Sequence, residues 1–278
     1  MQRPLLPIAI TAALSFAAYA AIVQFAPFSV PVVQNQVDTN MMRMQGFLAA
    51  PPRTVLVGSS LTFRLPTEVL EPEVANIGLT GGSALTGLAL VERSGEKPGL
   101  VLIESNLLER PLDQEAVQAQ LRFPERFLRK HLRVFRTGFD PANLLWRALL
   151  YFTHHVDVVM PPEAARHFYE GQRDFKARPP EAVNFQRNLK LTAALVASLE
   201  AKGLRVGFFE MPIDPGLMNS PADTAIRRDV RKAFPPGRYC WLDLQVPGGA
   251  HTLDGVHLTA DDSALIARKI LVQQKNCR

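Results

Sequence analysis

Apolar residues dominate positions 5–28, and no charged side chain occurs between Leu5 and Val33. That stretch meets the roughly 20 residues a membrane-spanning helix needs. Arg3 and the amino terminus precede it, which favours a cytoplasmic N-terminus with the rest of the chain exported. A signal peptide is the competing expectation, because Ala18-Tyr19-Ala20 has the small-x-small form of a cleavage site. Apolar character continues through Ile22, Val23, Phe25 and Phe28, so an uncleaved anchor over residues 1–28 is favoured. Residues 29–52 turn polar and end in Pro51-Pro52, as expected of a linker leaving a membrane.

Past residue 53 the pattern becomes short apolar runs separated by stretches of helical periodicity. Val55-Leu56-Val57 and residues 73–75, 99–103, 204–209 and 238–244 read as strands. Residues 182–201 read as a long helix with Leu191, Leu195 and Leu199 on one face and Gly203 placed to stop it. Residues 260–273 form a last helix behind Thr259, a suitable N-cap. Residues 53–278 are long enough for one α/β domain. Within it, residues 107–180 break the alternation and read as a helical insertion over the carboxyl edge of the sheet. Helices are expected there over residues 114–132, broken or kinked at Pro124, and over residues 141–154. The insertion carries arginines and a lysine from Arg122 to Arg136, interleaved with Phe123, Phe127 and Phe135 and followed by Trp146. It is read as a solvated basic face with a buried aromatic one, the alternative being a cap that lines a groove for a glycan or lipid-linked substrate.

The net charge of +5 over 278 residues is modest, with both signs interspersed, so no nucleic acid partner is expected. No zinc-type cysteine cluster, phosphate-binding loop or complete nucleotide fingerprint occurs, and no cofactor or metal is implied. His251, Asp254 and His257 could be imagined as metal ligands on one turn, but that reading leaves the serine and asparagine described next unexplained. Cys240 and Cys277 are either a disulfide tying the C-terminus to the sheet or two separate thiols, and the sequence favours neither.

The candidate chemistry sits at the ends of the expected strands. Gly58-Ser59-Ser60 turns the chain sharply after Val57 and leaves a hydroxyl at the carboxyl edge, where open α/β sheets bind ligands. A serine is a weak nucleophile without a base and a group that orients the base. Asp254 and His257, three residues apart, offer both. Asn76-Ile77-Gly78-Leu79-Thr80-Gly81 is a glycine-rich turn able to present backbone N–H groups. Glu104-Ser105-Asn106 brings a side-chain amide to another strand end. Donors of this kind hold an oxyanion. Glu210 and Asp214, after the fourth strand, are read as capping residues or as holders of substrate hydroxyls.

Taken in order, these four blocks resemble the SGNH or GDSL hydrolase superfamily. The resemblance covers most of the chain from Thr54 onward. It implies a three-layer α/β/α sandwich of flavodoxin-like type with a mainly parallel sheet. It also implies Ser60 as nucleophile, His257 as base, Asp254 as its orienting acid, and an oxyanion site made by Ser60, Gly81 and Asn106. Two positions depart from the family pattern: Ser59 stands where Asp is usual, and Glu104-Ser105-Asn106-Leu107 where G-x-N-D is usual. With the apolar N-terminus, the resemblance implies an exported esterase or O-acyltransferase, hydrolysis slightly favoured. It would be anchored in a bacterial inner membrane and act in the periplasm on acetyl esters of envelope or exopolysaccharide glycans. Two alternatives stay open: a secreted lipase or esterase, and a non-catalytic SGNH-like component of a polysaccharide synthesis or export complex.

Overall fold

The computed structural model describes residues 5–25, 35–145 and 161–277. Five short strands, β1 (Thr54–Gly58), β2 (Val74–Gly78), β3 (Leu100–Glu104), β4 (Arg205–Phe209) and β5 (Cys240–Leu242), pair in parallel in the order β2-β1-β3-β4-β5. Every residue of β1 and β3 is buried. Strands covered on both faces read as continuous apolar runs rather than as alternation.

Alternate side chains of these strands feed two cores. On one face Val55, Val57, Val101, Ile103 and Phe208 pack against α2 (Gln36–Ala49), α5 (Ala84–Ser94), α9 (Ala182–Ala201) and α11 (Pro221–Ala233). On the other, Leu56, Leu102, Phe209 and Leu242 pack against α3 (Ser60–Phe63), α4 (Thr67–Leu70), α10 (Pro215–Met218) and α12 (Ala260–Gln273). The chain runs from β1 to β2 on one side and then crosses back over β1 to β3 on the other. The carboxyl ends of β1 and β3 therefore flank the point where the winding reverses, the place where such sheets form a crevice. Helix α9 ends at Ala201, and Gly203 takes the left-handed conformation with φ of 81° that closes its C-terminus.

The polar stretch expected to be a linker departs most from the sequence reading. Within residues 29–52, Asn35 caps α2 by accepting the Val37 N–H at 2.9 Å, and Met44, Phe47 and Leu48 enter the core beside the sheet. Of the polar residues that gave this segment its linker composition, Asn35 and Gln36 are exposed, whereas Thr39 and Gln45 are buried, Gln45 bonding Thr137 at 3.0 Å and 2.8 Å.

Helix α1 (Leu5–Phe25) contains a 20-residue stretch, Leu6–Phe25, long and apolar enough to span a membrane or to act as a signal sequence. It continues without a break past Ala20. Its Tyr19 hydroxyl donates to Phe139 O at 2.5 Å and its Gln24 side chain accepts the Arg133 N–H at 3.0 Å.

The region after β3 divides at Pro124 into α6 (Gln114–Leu121) and α7 (Glu125–His131). The aromatic face expected to be buried is not: Phe123, Phe127 and Phe135 are 80%, 57% and 41% exposed. These helices pack towards α2 and α5. The second helical stretch, over residues 141–154, lies mostly outside the described residues, as do Trp146, His154 and His155. Helix α8 (Pro162–Lys176) is fixed to α11 by a buried ion pair between Lys176 and Asp223 at 2.6 Å. Cys240 and Cys277 form a disulfide across 37 residues, joining the end of the chain to β5.

Candidate active site

The turn after β1 is built around a buried carboxylate. Glu104, at the end of the neighbouring strand β3, accepts from both the backbone and the side chain of Ser59, at 2.8 Å and 2.7 Å. It also accepts the Thr62 N–H at 3.2 Å and the Thr62 hydroxyl at 2.6 Å. Ser59 Oγ in turn accepts the Leu61 N–H and so caps the single-turn helix α3. Nothing larger than glycine fits at position 58, where a Cβ would stand 2.2 Å from Thr62 Oγ1 and 2.6 Å from Glu104 Oε2. Ser59 and Glu104 are thus joined in a single interaction, and β3 supplies the turn with a carboxylate.

Ser60 opens α3 and is half-buried. Its hydroxyl lies 3.1 Å from His257 Nε2. His257 Nδ1 lies 2.6 Å from Asp254 Oδ2. That contact fixes the imidazole proton on Nδ1, leaving Nε2 to accept from the serine hydroxyl. Asp254 Oδ1 accepts the backbone N–H groups of Val256 at 3.2 Å and His257 at 2.8 Å. Burial pushes the Asp254 carboxyl up, but the His257 and backbone hydrogen bonds outweigh it and hold the group at about 2, below its ordinary 3.8. The turn between acid and imidazole needs Gly255, whose φ is 93°. A Cβ there would meet Tyr169 of α8 at 2.8 Å, so the helix at the end of the insertion buttresses the turn.

The glycine-rich block splits into two jobs. Asn76 donates to Thr62 O at 2.8 Å and accepts the Gly78 N–H at 2.8 Å, locking α3 onto β2. A Cβ on Gly78 would lie 2.2 Å from Phe63 N, so the approach of strand and helix depends on its absence. Gly81, with φ of 67°, lies at the cleft itself. Among the described residues, the backbone N–H groups of Ser60 and Gly81 have no acceptor within the protein.

Asn106, expected as an oxyanion donor, bonds to the segment that follows β4. Its amide oxygen accepts the Met211 N–H at 2.7 Å and its amide nitrogen donates to Met211 O at 2.9 Å. The side chain is buried between the chain leaving β3 and the chain leaving β4. Glu210 forms a bidentate ion pair with Arg227, and Asp214 caps α10 by accepting the Gly216 N–H at 2.8 Å. His251 pairs with Asp262, its Nδ1 3.2 Å from Oδ2.

Ser60, Gly81 and His257 line a cleft of about 560 Å³. Its wall includes residues that sequence reading passed over: Gln36 from α2, Arg64 at the end of α3, and Arg110. Asn40, one turn beyond Gln36, grips the Thr80 backbone from both sides, donating to Thr80 O at 2.9 Å and accepting the Thr80 N–H at 2.8 Å. Arg110 Nη1 donates to Gly82 O at 3.3 Å, and Ser83 Oγ donates to Arg110 O at 3.0 Å. Asn40 and Arg110 hold the Gly81 loop from opposite sides. The only sequence signal for Gln36 and Asn40 is their spacing of four, which puts both on one helical face.

No family model and no curated protein matches this chain. Among solved structures it is similar to one from Streptococcus pneumonia, provisionally described as a platelet activating factor. The TM-score is 0.42 over 95% of this chain and 98% of that one, at 8% identity.

Proposed function

We propose that this chain is a serine ester hydrolase or O-acyltransferase of SGNH type, with a three-layer α/β/α domain carried on the N-terminal anchor α1. The observation that carries this reading is the relay of Ser60, His257 and Asp254 at 3.1 Å and 2.6 Å, at the winding reversal of a parallel sheet. A histidine held by a carboxylate next to a hydroxyl has little structural purpose in an open cleft, and it has the form needed to activate a nucleophile.

The chemistry follows from the geometry. Ser60 Oγ attacks the ester carbonyl carbon while His257 Nε2 takes its proton, and Asp254 steadies the resulting imidazolium. Charge on the carbonyl oxygen is received by the unclaimed N–H groups of Ser60 and Gly81. His257 then protonates the departing alkoxide and an acyl-serine remains. Water, or a sugar hydroxyl in a transferase, gives up its proton to the same Nε2 as it attacks the acyl carbon. The tetrahedral intermediate collapses, His257 returns the proton to Ser60 Oγ, and acid or new ester leaves. Asn106 supports this machinery through the β4 edge.

Location and substrate belong to the same proposal. An exported domain with a disulfide fits the periplasm of a bacterium with two membranes, and acetyl esters of envelope or exopolysaccharide glycans are substrates within its reach. The test is acetyl release from p-nitrophenyl acetate by the purified full chain, with bare oligosaccharides as competing acceptors. Ser60→Ala and His257→Ala are each expected to lose more than about 10³-fold in kcat. Acetyl found on the sugar identifies a transferase, and acetyl released only to water a hydrolase. Folded wild-type protein no more active than either variant would sink the proposal.

A further inference from the structure

We infer that the cleft selects an ester on an acidic glycan, with Arg64 and Arg110 as the residues that recognise its carboxylates; this rests on the esterase or acyltransferase reading above. Twelve residues line the cleft; apart from His257 the ionisable ones are these two arginines, and there is no aspartate or glutamate among them. Elsewhere some arginines bond to acids, as Arg126 to Glu96 and Arg227 to Glu210, and others to backbone carbonyls, as Arg129 to Ala119 O and Arg136 to Arg129 O.

Arg64 and Arg110 are set apart by their place at the cleft that holds Ser60 and His257. Arg64 ends the helix that Ser60 begins, is exposed, and has no side-chain partner among the described residues. Arg110 spends one nitrogen on Gly82 O, and among the described residues no carboxylate bonds to it. The acid next to it in sequence, Glu109, lines a separate pocket with Phe175 and Phe185, where burial raises its carboxyl to about 7. One arginine thus comes from the nucleophile's helix and the other is tied to the Gly81–Gly82 loop, both opening on the cleft that holds Ser60.

A guanidinium loses hydration when a substrate covers it, and a neutral substrate returns nothing for that loss. A carboxylate returns a planar, bidentate partner. Gln36, Thr80 and Ser263 add amide and hydroxyl groups to the same wall, which suits sugar hydroxyls better than an acyl-chain tunnel. The ester is therefore read as sitting on, or next to, a uronate-type residue.

The experiment compares kcat/KM for an acetylated oligouronate with that for its carboxyl-reduced counterpart, using the full chain in detergent at low and high NaCl. Wild type is expected to prefer the acidic ester by about tenfold or more at low salt, with the preference shrinking as salt screens the pair. Arg64→Gln and Arg110→Gln should each remove most of that preference, chiefly through KM for the acidic ester. Arg110→Lys should keep part of it, because the charge remains while the fork is lost. Equal use of both esters by wild type, or a preference unchanged in Arg64→Gln, overturns the inference while leaving ester chemistry intact. If Arg110→Gln slows both esters alike, Arg110 only braces the loop and its share of the inference falls.

Calorimetric titration of the bare oligouronate and its reduced form separates this outcome from a failure of the catalytic reading. Where no ester is turned over, arginine-dependent binding of the acidic sugar alone still supports the inference, and equal binding of both sugars overturns it. Arginine-dependent binding to anionic phospholipid vesicles, with none to oligouronate, would assign the cleft to lipid and overturn it too.

Discussion

Replacing Glu104 tests whether a carboxylate supplied by β3 organises the nucleophile turn. The side chain is 1% exposed and accepts four hydrogen bonds, two of them from the backbone N–H groups of Ser59 and Thr62. In Glu104→Ala both N–H groups stay buried without an acceptor, at about 1–3 kcal/mol each, whereas the two hydroxyls can turn elsewhere. The cost worked from the structure is therefore ~2–6 kcal/mol, a large fraction of the ~5–15 kcal/mol by which a typical domain is stable.

Glu104→Gln can keep its amide oxygen where Oε2 stands, retaining three of the four contacts without the charge. Its cost is set at about 1–3 kcal/mol, the difference between charged and neutral hydrogen bonds over those contacts. Urea unfolding of the full chain in detergent measures both. Because the turn aims Ser60, kcat on p-nitrophenyl acetate should fall further than KM rises, and more in the alanine variant. An alanine variant within about 0.5 kcal/mol of wild type, the range of an ordinary surface change, would refute the claim that Glu104 holds this turn.

Substitutions at three further positions have expected outcomes. Asp254→Asn should slow turnover by up to ~10⁴-fold if the triad behaves like the well-studied one. With a folded value of about 2 against the ordinary 3.8, the charged Asp254 contributes roughly 2 kcal/mol of stability that is complete above that ordinary value and lost as pH falls through about 2. The gap in urea stability between wild type and Asp254→Asn should therefore narrow between pH 5 and pH 2, and a constant gap would contradict the assignment. Asn40→Ala removes both bonds to Thr80, costing ~1–3 kcal/mol. It should lower kcat about tenfold by loosening Gly81, and Asn40→Asp, which can still accept the Thr80 N–H, should recover part of that. Cys277→Ser opens a 37-residue loop, so thermal unfolding should show a loss of ~3–4 kcal/mol, with reduced wild type matching the variant.

Four of the strands were legible because each is a short apolar run bounded by Gly, Pro or polar residues, and Gly203 marked the end of α9 as a left-handed cap should; β2 was cut short at residue 75, because Asn76 and Gly78 read as turn residues although both lie in the strand. The nearness of Asp254 and His257 was legible for the same local reason, since three residues and a glycine suffice to make that turn. What escaped reading depends on contacts between distant parts of the chain. Asn106 and Met211 are 105 residues apart, Asn40 and Thr80 are 40 apart, and Ser59 and Glu104 are 45 apart. Nothing in the spacing around Asn106 could reveal that its amide would be claimed by a backbone brought in by β4. The α2 segment was misread because its composition is polar, although Met41, Met44 and Phe47 already recur with a spacing of three. The exposed Phe123 and Phe127 show the opposite error: an aromatic stripe at helical spacing predicts burial only where something lies against it.

The most direct test of the account is covalent labelling of the full chain with an organophosphonate that reacts only with activated serines, followed by peptide mass spectrometry. One modified residue is expected, Ser60, labelled at a rate that collapses in His257→Ala and falls in Asp254→Asn. Labelling of a different serine, or equal labelling of Ser60 with and without His257, would contradict it.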